Sequence, residues 1–153
     1  MLFWFMHHLW GLKTVAVFDI WSFEHVASGI SIGTAVRRHT KWELKRLFPS
    51  LAHTYHSLHF DLSGVLFIGY FWETIEHYLE TGLAGARVEY WFQGVEYWPN
   101  RVIADPALLI LGYLIAKRYP KLVVPARIFS LTWLIVHIFA FPDSMYLQRL
   151  LNI

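Results

Sequence analysis

The chain has 153 residues, of which 56% are hydrophobic, 18% aromatic and only 16% charged, whereas about a quarter of an ordinary soluble domain is charged. Its formal charge is +2, and the absence of cysteine excludes disulfides, thiolate metal sites and cysteine nucleophiles. Membrane spans of about 20 residues would use almost the whole length, which leaves no room for a separate soluble domain. The basic residues border apolar runs instead of forming a stripe with stacking aromatics, which argues against nucleic acid as a partner.

Residues 1–10 are apolar and aromatic, without the leading positive charges and small-residue cleavage site of a signal peptide. They are expected to remain as an interfacial segment carrying His7, His8 and Trp10, with Gly11 and Lys13 marking the break before the first span. That span is expected over about residues 15–36, closed by Arg37, Arg38, Lys41, Lys45 and Arg46. A polar stretch with Pro49, His53, His56 and His59 leads to a second span over about 58–83. Gly82, Gly85 and Gly94 then frame a loop rich in tyrosine and tryptophan (Tyr90, Trp91, Tyr97, Trp98), residue types that favour a membrane surface. The third span, about 102–116, and the fourth, about 128–141, are both short for a spanning helix. The expected fold is therefore all-α, a single domain over 1–153 containing four transmembrane helices. Arg37, Arg38, Lys41, Lys45, Arg46, Lys117, Arg118, Lys121 and Arg127 fall on one side, against Lys13, Arg87, Arg101 and Arg149 on the other. The positive-inside rule then places both termini and the aromatic loop outside the cytoplasm.

Ionisable residues at membrane depth are where function is sought, because they are expensive to keep there. At about 100° per residue, Asp19, Ser22, His25, Gly29 and Gly33 share one face of the first span, and Glu24 points away. Gly29 and Gly33 form a small-residue step that lets another helix approach closely. In the second span Glu73, Glu76, His77 and Glu80 form a stripe, whose last member is expected to reach water at the helix end. In the third, Arg101, Asp105, Gly112 and Ala116 share a face. Topology brings Asp19, His25, Glu73, Glu76, His77, Asn100, Arg101 and Asp105 into the outer half of the bundle. His137 of the fourth span, on an arc with Ser130 and Trp133, is expected to hydrogen-bond a neighbouring helix.

The runs Asp19-Ile20-Trp21-Ser22-Phe23-Glu24-His25, Trp72-Glu73-Thr74-Ile75-Glu76 and Asn100 to Asp105 followed by Gly112 resemble motifs of a bacterial inner-membrane family, domain of unknown function 2585, and more remotely the VanZ-like proteins. Ser28 stands where that pattern has a second histidine, and His77 where it has an asparagine. The resemblance implies a membrane fold of four or more helices with a polar centre in the bacterial inner membrane. It implies no reaction.

Three functional classes fit the residues. The first is a membrane enzyme acting on a lipid or isoprenoid head group, with Asp19, His25, Glu73, Glu76, Arg101 and Asp105 as its catalytic group, His25 or Glu76 as base and Arg101 holding an anion. A metal-assisted form would use a divalent ion on His25, Glu73, His77 and Asp105, although the Glu-x-x-His di-iron spacing is missing. The second class is a non-enzymatic accessory or assembly subunit, with a partner membrane protein or a second copy docked on it. The third binds haem between His25 and His77.

Overall fold

A computed structural model describes residues 8–50 and 57–151. Among these the chain is all-helical, with a single β-type bridge between Trp10 and Phe18. The helices are α1 (Ser22–Leu47), α2 (Leu58–Glu80), α3 (Ala86–Phe92), α4 (Asp105–Arg118), α5 (Val123–Ala140) and α6 (Tyr146–Leu151). A π-helical segment, Asn100–Ala104, runs directly into α4, and a 3-10 turn, Pro120–Leu122, into α5. The expected runs differ at their ends. The first helix starts at Ser22, not near residue 15, because Asp19 and Ser22 fold the chain into a turn: Trp21 N–H donates to Asp19 Oδ1 at 2.7 Å, and Asp19 N–H donates to Ser22 Oγ at 3.1 Å. Residues before it fold back, with Val17 N–H donating to the His8 carbonyl and Phe18 N–H to that of Leu9. The third and fourth helices are longer than expected, because the π segment and the 3-10 turn extend them.

Capping chemistry sets the other boundaries. Ser57 caps α2 by accepting from Phe60 N–H. Gly82 (φ 92°) ends α2 in the left-handed region that glycine adopts freely, while Leu83 N–H reaches back to the Tyr78 carbonyl. The loop expected between Gly85 and Gly94 is largely α3, stopped by Gln93 at φ 60° and Gly94 at φ 106°. The π segment has a sequence cause. Pro106 lacks the amide that an α-helix would direct to the Val102 carbonyl, and the Tyr70 hydroxyl of α2 donates to that carbonyl instead, at 3.0 Å.

The four long helices alternate in direction. His25 of α1 faces Glu73 of α2 and Asp105 of α4, while at the opposite end the Tyr113 hydroxyl of α4 donates to Asp61 of α2 at 2.7 Å. Arg127 of α5 donates from Nε to the Ser31 carbonyl of α1. α1 and α4 pack most closely: a Cβ on Gly29 would fall on the Leu109 carbonyl, and one on Gly112 on the Val26 carbonyl. A small apolar cluster of Val36, Val65, Leu109 and Tyr113 fills the centre.

Burial runs opposite to that of a soluble bundle. Asp19 is 0%, Glu80 1% and Asp105 1% exposed, whereas Phe139 is 82% and Phe67 73% exposed, with Leu131, Ile128 and Val124 also outward. Among the described residues only Pro120–Ala140 is both long and apolar enough to cross a membrane by itself. α1 and α2 are long enough but carry charged residues, and α4 alone has 14 residues.

Candidate functional site

The buried polar residues gather at the end of the bundle where α1 starts and α2 finishes. Glu80, the last residue of α2, is the hub. One of its oxygens takes Lys13 Nζ, and the other accepts from Arg101 Nη2 at 2.6 Å and from Glu96 N–H at 3.1 Å. The expectation that Glu80 reaches water is thus corrected. The segment before α1 folds over the helix end and brings Lys13, 2% exposed, against it, while Tyr97 N–H donates to the Lys13 carbonyl. Arg101 spreads over further acids, with Nη2 3.3 Å from Glu96 Oε2 and Nε 3.7 Å from Glu73 Oε2.

Beside this hub lies a second group. His25 Nδ1 is 3.0 Å from the Trp21 carbonyl, an atom that can only accept, so Nδ1 carries the proton there. Nε2 is 3.2 Å from Glu73 Oε1, and Asp105 Oδ1 lies 3.4 Å from Nδ1. Among the described residues, neither oxygen of Asp105 receives a hydrogen bond. Asp19 is tied in by Asn100, whose Nδ2 donates to Asp19 Oδ2 at 3.3 Å and to Glu96 Oε1 at 3.1 Å. The π segment contributes here by turning Asn100, Ala104 and Asp105 all inward.

Of the residues expected at the site, Asp19, His25, Glu73, Arg101 and Asp105 come together, and Glu76 stands at the edge, half-buried and facing a cleft. His77 does not join them: it is exposed on the other side of Arg101 and accepts from Arg101 Nη1 at 3.3 Å. His25 and His77 thus turn to different partners. Glu24 does leave the face of His25, but it also lines the cleft and accepts from Ser28 at 2.8 Å. His137 is buried without a hydrogen bond to either ring nitrogen. Its ring is held instead between Trp21, 4.5 Å away, and Trp133, stacked at 5.0 Å. His59 is exposed, and His53 and His56 lie outside the described residues.

Two members of the site are not signalled by the sequence pattern. Lys13 reads as a boundary marker, because a lone cation between apolar runs usually ends a span. Glu96 sits four residues before Asn100, a helical spacing hidden inside the aromatic loop.

Burial, then the neighbouring charges of Asp105, Glu76 and Glu73, push the Glu96 carboxyl up from 4.5 to about 10, against the pull of Arg101. Because the folded chain holds this proton and the unfolded chain releases it near 4.5, the contribution of Glu96 to stability is fully present below that pH. It is lost as pH rises toward 10. A Glu96→Gln variant, which keeps the acceptor for Asn100, is expected to show a flatter decline in thermal midpoint between pH 6 and pH 9 than the wild type. Equal slopes would contradict this assignment.

α2 and α5 barely touch, and between them opens a cleft of about 1220 Å³. Its walls are Ile68, Trp72 and Leu79 from α2 with Leu134 and Ile138 from α5, over a floor of α1. Glu24, His25, Glu76, Lys13 and Arg87 give it one polar end. α3 roofs that end: Trp91 Nε1 donates to the His137 carbonyl at 3.0 Å, and Ser144 N–H donates to the Trp91 carbonyl at 2.7 Å. Comparison with protein-family models, with curated proteins and with solved structures finds no match in any of the three.

Proposed function

We propose that the chain is an integral membrane protein of four spanning helices whose lateral cleft admits a lipid or isoprenoid and exposes its head group to an acid–base site. The observation that carries this reading is the cleft, apolar along its walls and ionisable at one end. Outward phenylalanines and inward carboxylates suit a lipid solvent. The lengths are consistent with it: at about 1.5 Å per residue, residues 100–118 extend about 28 Å and Pro120–Ala140 about 31 Å, near the about 30 Å of a hydrocarbon core. Lys13 and Arg101 are consumed by carboxylates and Arg149 is paired with Asp143, which leaves Arg87 among the described cations at the acidic end. The basic end then faces the cytoplasm and both termini lie outside it, in a bacterial inner membrane.

Within the cleft the roles follow from access. Glu76 reaches the cleft and is positioned to exchange a proton with a bound head group. His25, oriented by the Trp21 carbonyl, stands behind it. Arg101 is turned to Glu80 and Glu96 and does not line the cleft, so the anion-holding part passes to Arg87, which is exposed and does.

The test uses protein purified in detergent and returned to vesicles of bacterial phospholipid with or without a polyprenyl phosphate. Wild type is expected to retain about one lipid per chain in native mass spectrometry and to convert its head group. Ile138→Trp, which fills the cleft, should lose the lipid, and Glu76→Gln should keep the lipid but lower turnover at least about 100-fold, the lower end of general acid–base effects. Retention of the lipid by Ile138→Trp would remove the cleft from function. No turnover of either lipid by wild type would favour an accessory subunit docked on a partner.

A further inference from the structure

The carboxylates around His25 outnumber the cations that could neutralise them. Asp19, Glu73, Glu76, Glu80 and Asp105 share one end of the bundle with Lys13 and Arg101, both of which are directed to Glu80. Even a charged His25 leaves negative charge in excess, in a setting where unpaired buried charge is costly. Asp105 is the sharpest instance. It is 1% exposed, and neither of its oxygens has a hydrogen-bond partner among the described residues; His25 Nδ1, 3.4 Å away, is already directed to Trp21. Glu73 is alike: it is 2% exposed and its Oε2 also receives no hydrogen bond.

The geometry points to a divalent transition-metal site formed by His25, Glu73 and Asp105. One donor atom from each lies within 4.8 Å of the others. Donors about 2.0–2.2 Å from an ion stand about 3.3–3.6 Å apart in a tetrahedral arrangement, so the trio would draw in by up to about an ångström on binding. The residues come from three helices, α1, α2 and the start of α4, so one ion would also tie the acidic end of the bundle together. One ring nitrogen of His25 is held by a backbone carbonyl, as in metal-bound imidazoles, and the other faces Glu73; Asp105, 3.4 Å from the first, would turn toward the second on binding an ion. One imidazole with two carboxylates suits zinc, manganese or ferrous iron over copper(I), which prefers sulfur. Three protein ligands leave further positions of the ion open, and His25 itself lines the cleft. His77, expected among the ligands, is not one of them.

The site stands apart from the lipid reading, because it requires no occupant in the cleft. Full-length protein in detergent is stripped with a chelator and then equilibrated with Zn²⁺ or Mn²⁺ alone. Plasma emission analysis is expected to find about one ion per chain in wild type and in Glu89→Gln, a surface control on α3. Asp105→Asn and Glu73→Gln should each fall at least ten-fold. Thermal unfolding supplies the second measurement: added Zn²⁺ or Mn²⁺ should raise the midpoint of stripped wild type and leave that of Asp105→Asn unmoved. If Asp105→Asn does not fold, the wild-type midpoint and the Glu73→Gln metal content decide. A folded wild type that takes up neither ion, or a Glu73→Gln variant that keeps a full equivalent, overturns the site. Loss of metal with lipid retention unchanged would leave the cleft standing, and the converse would leave the metal site standing.

Discussion

Replacing Gly112 with leucine is expected to prevent the bundle from assembling, so that the folded protein fails to accumulate. At this position α4 rests on the backbone of α1: a Cβ on Gly112 would meet the Val26 carbonyl oxygen, the Gly29 Cα at 2.8 Å and the Ile30 nitrogen at 2.8 Å. None of these atoms can rotate away, so the helices must separate, and with them every polar contact that depends on their register. Inserting one methyl into a filled interior costs about 1–3 kcal/mol, and leucine adds three further carbons. Alanine scanning of the glycines should therefore give an order. Gly112→Ala and Gly29→Ala, both opposed by backbone, should lower the thermal midpoint most. Gly33→Ala, opposed chiefly by the Tyr113 side chain, should lower it less, and Gly69→Ala, opposed by one Leu109 methyl at 2.9 Å, least. A Gly112→Ala protein as stable as Gly69→Ala would show that α1 and α4 do not cross here.

That crossing is legible in the residue spacing alone. Gly29 and Gly33 lie one turn apart on the face that carries His25, and Gly112 lies on the face that carries Asp105, so close packing and the meeting of polar residues follow from one spacing rule. Helix identity is legible for the same reason. Boundaries are less so, because a run of apolar residues does not reveal where the chain turns. The stretch ahead of Ser22 is as apolar as a helix, and the turn depends on hydrogen bonds between Asp19, Trp21 and Ser22. The π segment is hidden because Pro106 reads as a helix start, while its effect on the Val102 carbonyl depends on Tyr70 being nearby. In the site, spacing and topology correctly group Glu73 with His25. They cannot place His77, since whether a residue at the margin of a stripe faces inward depends on what covers it. Arg101 fills that position.

Glu80 shows the same limit and carries the second large effect. As the last residue of α2 it would be solvated on any isolated helix, yet the returning segment before α1 and the loop before the π segment seal it in, at 1% exposure. Both of its oxygens are occupied by cations: Lys13 otherwise lies 4.8 Å over the Phe92 ring, and Arg101 makes its shortest contact with Glu80. Glu80→Gln keeps the shape and removes the charge, which strands the buried Lys13 and leaves Arg101 only its longer contacts with Glu96 and Glu73. Breaking one buried pair in this way costs about 3–5 kcal/mol, and because Glu80 is sealed from solvent, screening takes little from that figure. The variant is therefore expected to lose most of its folded population in detergent, with Lys13 and Arg101 exposed to labelling or proteolysis. Lys13→Met alone should cost less, since Arg101 still neutralises Glu80. The double variant Glu80→Gln with Lys13→Met should recover part of the loss, because the stranded cation has gone. Double-mutant coupling of at least about 0.5 kcal/mol is the expected signature of the pair. If the two losses simply add, Lys13 and Glu80 act independently and the seal over the end of α2 is not held by charge.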